Sequence, residues 1–113
     1  MNTPEDELEA PLFQRKVAAF VSKNGLEIEV PYRLLDLTSE LGELAKEALK
    51  GSNYGQESFQ PTPEWFDELA DVFFSLVCVA NSTGLNLEEG LEMALSKYQE
   101  RLVRKGSAGS EEG

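Results

Sequence analysis

Twelve residues, Leu69 to Ala80, are apolar on every side of a helical projection, interrupted only by Asp71 and Ser75. A helix of that kind is expected to be buried all round, not laid along a surface. It continues from Trp65-Phe66-Asp67-Glu68, so the same element carries two acids, Glu68 and Asp71, at i and i+3 on one face. An ionised carboxylate in such a helix is costly unless a cation or hydrogen bonds compensate it. The pair therefore predicts a shared cation, held together with groups from elsewhere in the chain.

At 113 residues the chain is the size of one domain with a modest core. Lys and Arg total 10 against 21 Asp and Glu, and the net charge of -11 argues against gripping a nucleic-acid backbone through a broad basic surface. Small phosphorylated ligands held through a metal remain open. The single cysteine, Cys78, lies inside the apolar run and reads as a buried structural thiol before a nucleophile. It can form no internal disulfide, which fits a reducing cytoplasm. The segment Met1-Asn2-Thr3-Pro4-Glu5-Asp6-Glu7 has neither the basic nor the apolar region of a signal peptide, and the run near Val72 is too short to span a bilayer. The expectation is a soluble, cytoplasmic protein with neither nucleic-acid nor membrane partner.

Four helices follow from the periodicity. Residues 1–10 form a flexible acidic lead, and Pro11 suits the first turn of a helix whose Phe13, Val17, Phe20 and Val21 make one stripe to about Lys23. Asn24-Gly25 ends it, and Leu26 to Val30 is a short connector. A second helix runs from Pro31 to about Lys50 on Leu34, Leu37, Leu41, Leu44 and Ala48. Residues 51–61 carry the turn chemistry of a loop long enough to be functional. Thr62 and Pro63 suit the cap and first turn of the third helix, expected to reach Asn81. Asn86, with Glu89 three residues on, reads as a capping-box variant for a fourth helix with a core stripe of Leu87, Leu91, Leu95, Tyr98 and Leu102. Residues 11–105 thus form an all-α bundle, and 106–113 are too polar to pack and read as a disordered tail. Three short neighbours do not cover a third helix that is apolar all round, so at least a homodimer is expected.

The second helix offers the missing ligands. Asp36, Glu40, Glu43 and Glu47 recur at i, i+4, i+7 and i+11. Alone, such a stripe reads as a solvated face, although like charges at this spacing repel. Packed antiparallel on the third helix, Glu40 and Glu43 would face Glu68 and Asp71, and four carboxylates together require cations. Oxygen ligands at that density suit magnesium or manganese. With no histidine in the chain, zinc and Glu-x-x-His di-iron sites are disfavoured and a histidine general base is excluded. On the fourth helix Lys97, Arg101 and Arg104 share a face at i, i+4 and i+7. They could simply complement the negative end of that helix. Beside a metal cluster they could instead hold an anionic substrate through its phosphate oxygens.

Glu40-Leu41-Gly42-Glu43, followed after 24 residues by Glu68-Leu69-Ala70-Asp71, resembles the Glu-x-x-Glu, Glu-x-x-Asp signature of the MazG-like, all-α nucleoside triphosphate pyrophosphohydrolases. The flanking segments Leu37 to Glu47 and Asp67 to Val72 are similar to the family's motif segments, and the likeness runs from about Tyr32 to Arg104. The resemblance implies a helical fold assembled as a homodimer or homotetramer and magnesium-dependent hydrolysis of an NTP or dNTP to its monophosphate and pyrophosphate. It assigns Glu40, Glu43, Glu68 and Asp71 to the metal and Lys97 with Arg104 to the phosphates. Arg101 stands where many members have an asparagine, a departure at the phosphate side. Metal-activated water attacking the α-phosphorus is the implied chemistry, with Glu43 as the acid that orients or deprotonates it. Tyr54, Phe59 and Trp65 are candidates to stack on the base, against the plainer reading of packing residues. Two other functions fit the same residues: a non-catalytic acidic module binding cations or protein, and a phosphoribosyl-nucleotide pyrophosphatase of the same superfamily.

Overall fold

The computed structural model describes residues 10–106; the predicted flexible lead and tail lie outside them, apart from Ala10 and Gly106. The described residues form four helices and no strand: α1 (Leu12–Asn24), α2 (Val30–Gly51), α3 (Trp65–Ser82) and α4 (Leu87–Lys105). This is the all-α architecture that the periodicity predicts.

The helix ends follow local chemistry. At the end of α1, Gly25 adopts φ 63 and ψ 38, which lets the Leu26 N–H reach back to the Val21 carbonyl at 3.0 Å. Asn86 caps α4 as expected, its side chain accepting from the backbone N–H groups of Glu88 and Glu89 at 2.9 and 3.1 Å. The start of α3 differs from expectation. The helix begins at Trp65 behind Glu64, and Thr62 does not cap it. The Thr62 hydroxyl donates instead to the Glu47 carboxylate on α2 at 2.9 Å, and a tertiary bond displaces the local one.

The main interface joins α2 to α3, and α1 packs on α3. Their direction follows from who meets whom. Glu47 bonds Thr62 just ahead of α3, Glu40 lies against Glu68 and Asp71, and Arg33 lines a cavity with Cys78. Positions descending along α2 meet positions ascending along α3, so the pair is antiparallel. Aromatic rings fix α1, with Phe13 5.3 Å from Phe73 and Phe20 edge-on to Phe74 at 6.3 Å.

The buried hub is polar. Gln14, 2 % exposed, donates from Nε2 to Asn81 Oδ1 and the Leu85 carbonyl at 3.0 and 2.9 Å. Its Oε1 accepts the Leu87 N–H at 2.7 Å, and its own carbonyl accepts from Asn81 Nδ2 at 3.0 Å. One amide thus ties α1 to the end of α3 and the first turn of α4. From that point α4 leaves at 101° to α3.

The expectation that α3 is buried all round needs correction. Val77, Cys78 and Ala80 are buried, but Leu69, Phe73 and Leu76 are 42, 47 and 42 % exposed, and Asp71 is exposed too. Two helices, not three, cover α3, because α4 swings away and leaves one face bare. On α4, Leu91, Leu95 and Leu102 are 57, 51 and 47 % exposed. The radius of gyration, 17.3 Å, exceeds the value of about 13 Å expected for a compact chain of this length. Among the described residues no single helix is long and apolar enough to cross a membrane.

Gln14→Leu leaves the Leu87 N–H, the Leu85 carbonyl and Asn81 Oδ1 without their shared partner, so urea unfolding should report a loss of about 2 to 4 kcal/mol. Unchanged stability would mean that water replaces the amide at no cost.

Candidate functional site

Antiparallel packing of α2 on α3 places Glu40 opposite Glu68 and Asp71, with one carboxylate oxygen of each within 4.8 Å of the others. Glu40 and Glu68 are half-buried and Asp71 is exposed, so the group is walled by the bundle yet open to solvent on one side. Three of the four predicted acids therefore converge. The fourth, Glu43, is exposed and stands beside the trio, close enough for its charge to act on both Glu40 and Glu68.

The electrostatics record the crowding. Desolvation, then Asp71, then Glu43, Asp36 and Asp67 push the Glu40 carboxyl above its ordinary range. Desolvation, then Asp71, Glu40, Glu43 and Asp67 raise Glu68 in the same way. Each charge named as acting on the pair belongs to another carboxylate. An all-oxygen donor set of high negative charge, open on one side, fits a hard divalent cation that retains water, as magnesium or manganese does.

The ends of the acidic stripe serve other purposes. Glu47 is 6 % exposed and accepts from Thr62 and, at 3.4 Å, from Lys50, so it anchors the loop before α3. Asp36 lies 3.8 Å from Arg33. Arg33 is itself buried and donates to the Leu26 carbonyl at 2.8 Å, bracing the α1–α2 connector.

The basic residues sit on α4. The Lys97 ammonium and Arg101 guanidinium lie over the Tyr98 ring at 5.3 and 6.0 Å, and Arg104 pairs with Glu100 at 3.6 Å. None of the three is among the charges named as acting on Glu40 or Glu68.

Of the aromatic candidates, Phe59 and Trp65 pack edge-on at 4.8 Å and close the loop onto α3, which is the packing reading. Gly51 permits this closure, since a Cβ there would collide with the Gln60 carbonyl oxygen and the Phe59 ring. Tyr54 is exposed, beside Asn53 in a turn where both have positive φ, 58° and 49°. Cys78 is free and buried, and burial raises its thiol pKa against the opposing pull of Arg33, as suits a structural thiol. Sequence reasoning missed Gln14. A polar residue beside the Phe13 stripe signals nothing until its distant partners are known.

A model of the MazG nucleotide pyrophosphohydrolase domain matches residues 32–103. The chain belongs to the MazG nucleotide pyrophosphohydrolase family. Its fold is similar to the crystal structure of the Bacillus-conserved MazG protein, a nucleotide pyrophosphohydrolase, with a TM-score of 0.65 and 27% identity over 87% of this chain and 90% of that one. It is also 40% identical over 68 residues to an uncharacterized Bacillus subtilis (strain 168) protein, YpjD, a stretch covering 58% of this chain and 60% of the relative.

A carboxyl that holds its proton more tightly folded than unfolded favours the fold at low pH, and that contribution is lost as pH rises from the ordinary carboxylate range through the raised folded value. Metal-free Glu68→Gln should therefore melt above the wild type at pH 7, with the gap closing as pH falls through the carboxylate range. Magnesium should raise the melting temperature of the wild type more than that of the variant. Equal melting curves at every pH would remove the repulsion from the account.

Proposed function

We propose that the chain is a magnesium-dependent nucleoside triphosphate pyrophosphohydrolase, converting an NTP or dNTP to the monophosphate and pyrophosphate. The observation that carries this reading is the convergence of Glu40, Glu68 and Asp71 across the α2–α3 interface, with Glu43 beside them. Membership of a family named for nucleotide pyrophosphohydrolysis supports it, as does the likeness to a solved protein described by that activity.

Glu40, Glu68 and Asp71 would hold the ion, and Glu43 would complete the set from its exposed position. Bound there, magnesium, or manganese in its place, supplies offsetting positive charge and lowers the pKa of nearby water. Glu43 orients that water and accepts its proton. Oxygen bonds to the α-phosphorus in line, the bond from that phosphorus to the bridging oxygen breaks, and pyrophosphate departs with the bridging oxygen. Lys97, Arg101 and Arg104 hold the β- and γ-phosphates and stabilise the charge gathering on the leaving group. The active protein is a homodimer or homotetramer, works in the cytoplasm and serves housecleaning of the nucleotide pool.

Product analysis with canonical and modified nucleoside triphosphates and magnesium tests the reading. The wild type should release pyrophosphate and monophosphate in equal amounts. Glu43→Gln and Asp71→Asn should each lose about 100-fold or more in kcat while remaining folded. No turnover of any nucleotide by the wild type would shift the function to a cation-binding or partner-binding module, and turnover confined to a phosphoribosyl nucleotide would change the substrate.

A further inference from the structure

A cavity of about 220 Å³ lies apart from the acids, walled by Ala18 and Val21 of α1, Glu27 and Ile28 of the connector, Arg33 of α2 and Cys78 of α3. Protein interiors leave few voids larger than a water molecule, and an apolar cavity of about 150 Å³ already admits benzene. Glu27 and Ile28 are exposed, so the space opens to solvent. Arg33 stands seven residues before Glu40 and Cys78 seven after Asp71. At 1.5 Å per residue the cavity is therefore about 10 Å along both helices from the acid trio.

Its charges are incompletely matched. The Arg33 side chain is only 10% exposed, yet a single nitrogen, Nη2, makes a hydrogen bond, to the Leu26 carbonyl at 2.8 Å. Nη1 stands 3.8 Å from Asp36, beyond hydrogen-bond reach. Among the described residues no sealed side-chain nitrogen lacks a partner, so the N–H groups that Arg33 leaves unused face open space, and the space it borders is this cavity. Glu27 brings the opposite charge to the same wall and forms no ion pair among the described residues.

A buried guanidinium with spare N–H groups suits a carboxylate. A plain anion would add a third negative charge to Asp36 and Glu27 beside one cation. A molecule that carries an ammonium group next to its carboxylate avoids that repulsion, and the apolar wall takes an aliphatic chain. We propose that the cavity binds a free α-amino acid with a side chain of about leucine's size, its carboxylate on Arg33, its ammonium on Glu27 and its side chain against Val21 and Ile28. Bound there, it ties α1 and the connector to the α2–α3 pair, so occupancy stabilises the fold. This site does not depend on the pyrophosphohydrolase reading.

Cys78 reports on occupancy, because it is the chain's single cysteine and stands on the cavity wall. The whole protein is treated with methyl methanethiosulfonate, and the modification is followed by intact mass with and without each common amino acid at about 10 mM. Leucine or a close aliphatic relative should slow the modification about fivefold or more and raise the melting temperature by about 2 °C or more. Glycine and glutamate should do neither.

Ligands trimmed of one charge separate the two contacts without altering the protein. 4-Methylpentanoate, which lacks the ammonium, and 3-methylbutylamine, which lacks the carboxylate, should each need about 10-fold higher concentration for the same protection. Glu27→Gln, at an exposed position, should weaken leucine by about the same factor. Modification of the folded protein that no amino acid slows would overturn the proposal, as would equal protection by leucine and 4-methylpentanoate. Protection by a metal-free nucleoside triphosphate and not by leucine would overturn it too, and would give the cavity to the base of a nucleotide.

Discussion

Antiparallel packing of α2 on α3 forces Glu40 against Glu68 and Asp71, and most of the molecule can be understood as accommodating that repulsion. Apolar contact between the two helices supplies the favourable term, and the like charges at its edge subtract from it. The register is held by groups away from the cluster. Glu47 accepts from Thr62 at one end, and Arg33 braces the chain near the other. The acids are thus pinned by neighbours outside the cluster, which is how a fold holds a costly geometry in place.

Helix number, approximate boundaries and the Asn86 cap were legible because each depends on residues within a few positions of one another. The acid pair on α3 was legible for the same reason, and Glu40 followed from assuming an antiparallel neighbour. Long-range polar bonds were not legible. Gln14 reaches Asn81 and Leu87 across most of the chain, and Thr62 left its expected cap for Glu47. Periodicity also misjudged α3: it reports which faces are apolar but not how many neighbours exist to cover them. Leu69, Phe73 and Leu76 are apolar as the pattern says, and bare because α4 turns away.

The acidic stripe of α2 shows why equal spacing does not mean equal role. Asp36, Glu40, Glu43 and Glu47 share a face, yet Glu47 is buried in hydrogen bonds while Glu43 remains exposed. What separates them is where the loop after α2 returns. Gly51 lets residues Phe59 and Gln60 approach the end of α2, and Thr62 then falls over Glu47. Position along the helix relative to that returning strand of loop decides which carboxylate becomes structural.

Gln14 binds α4 at its first residue, and α4 extends 19 residues from there. A rod held near one end converts small rotations into large displacements. Tilting α4 by about 5° at Leu87 moves its far end by about 2 Å, since its 19 residues reach about 27 Å. The buried amide sits at the point about which such a tilt would turn, so the aim of the basic end of α4 depends on a bond made at its other end.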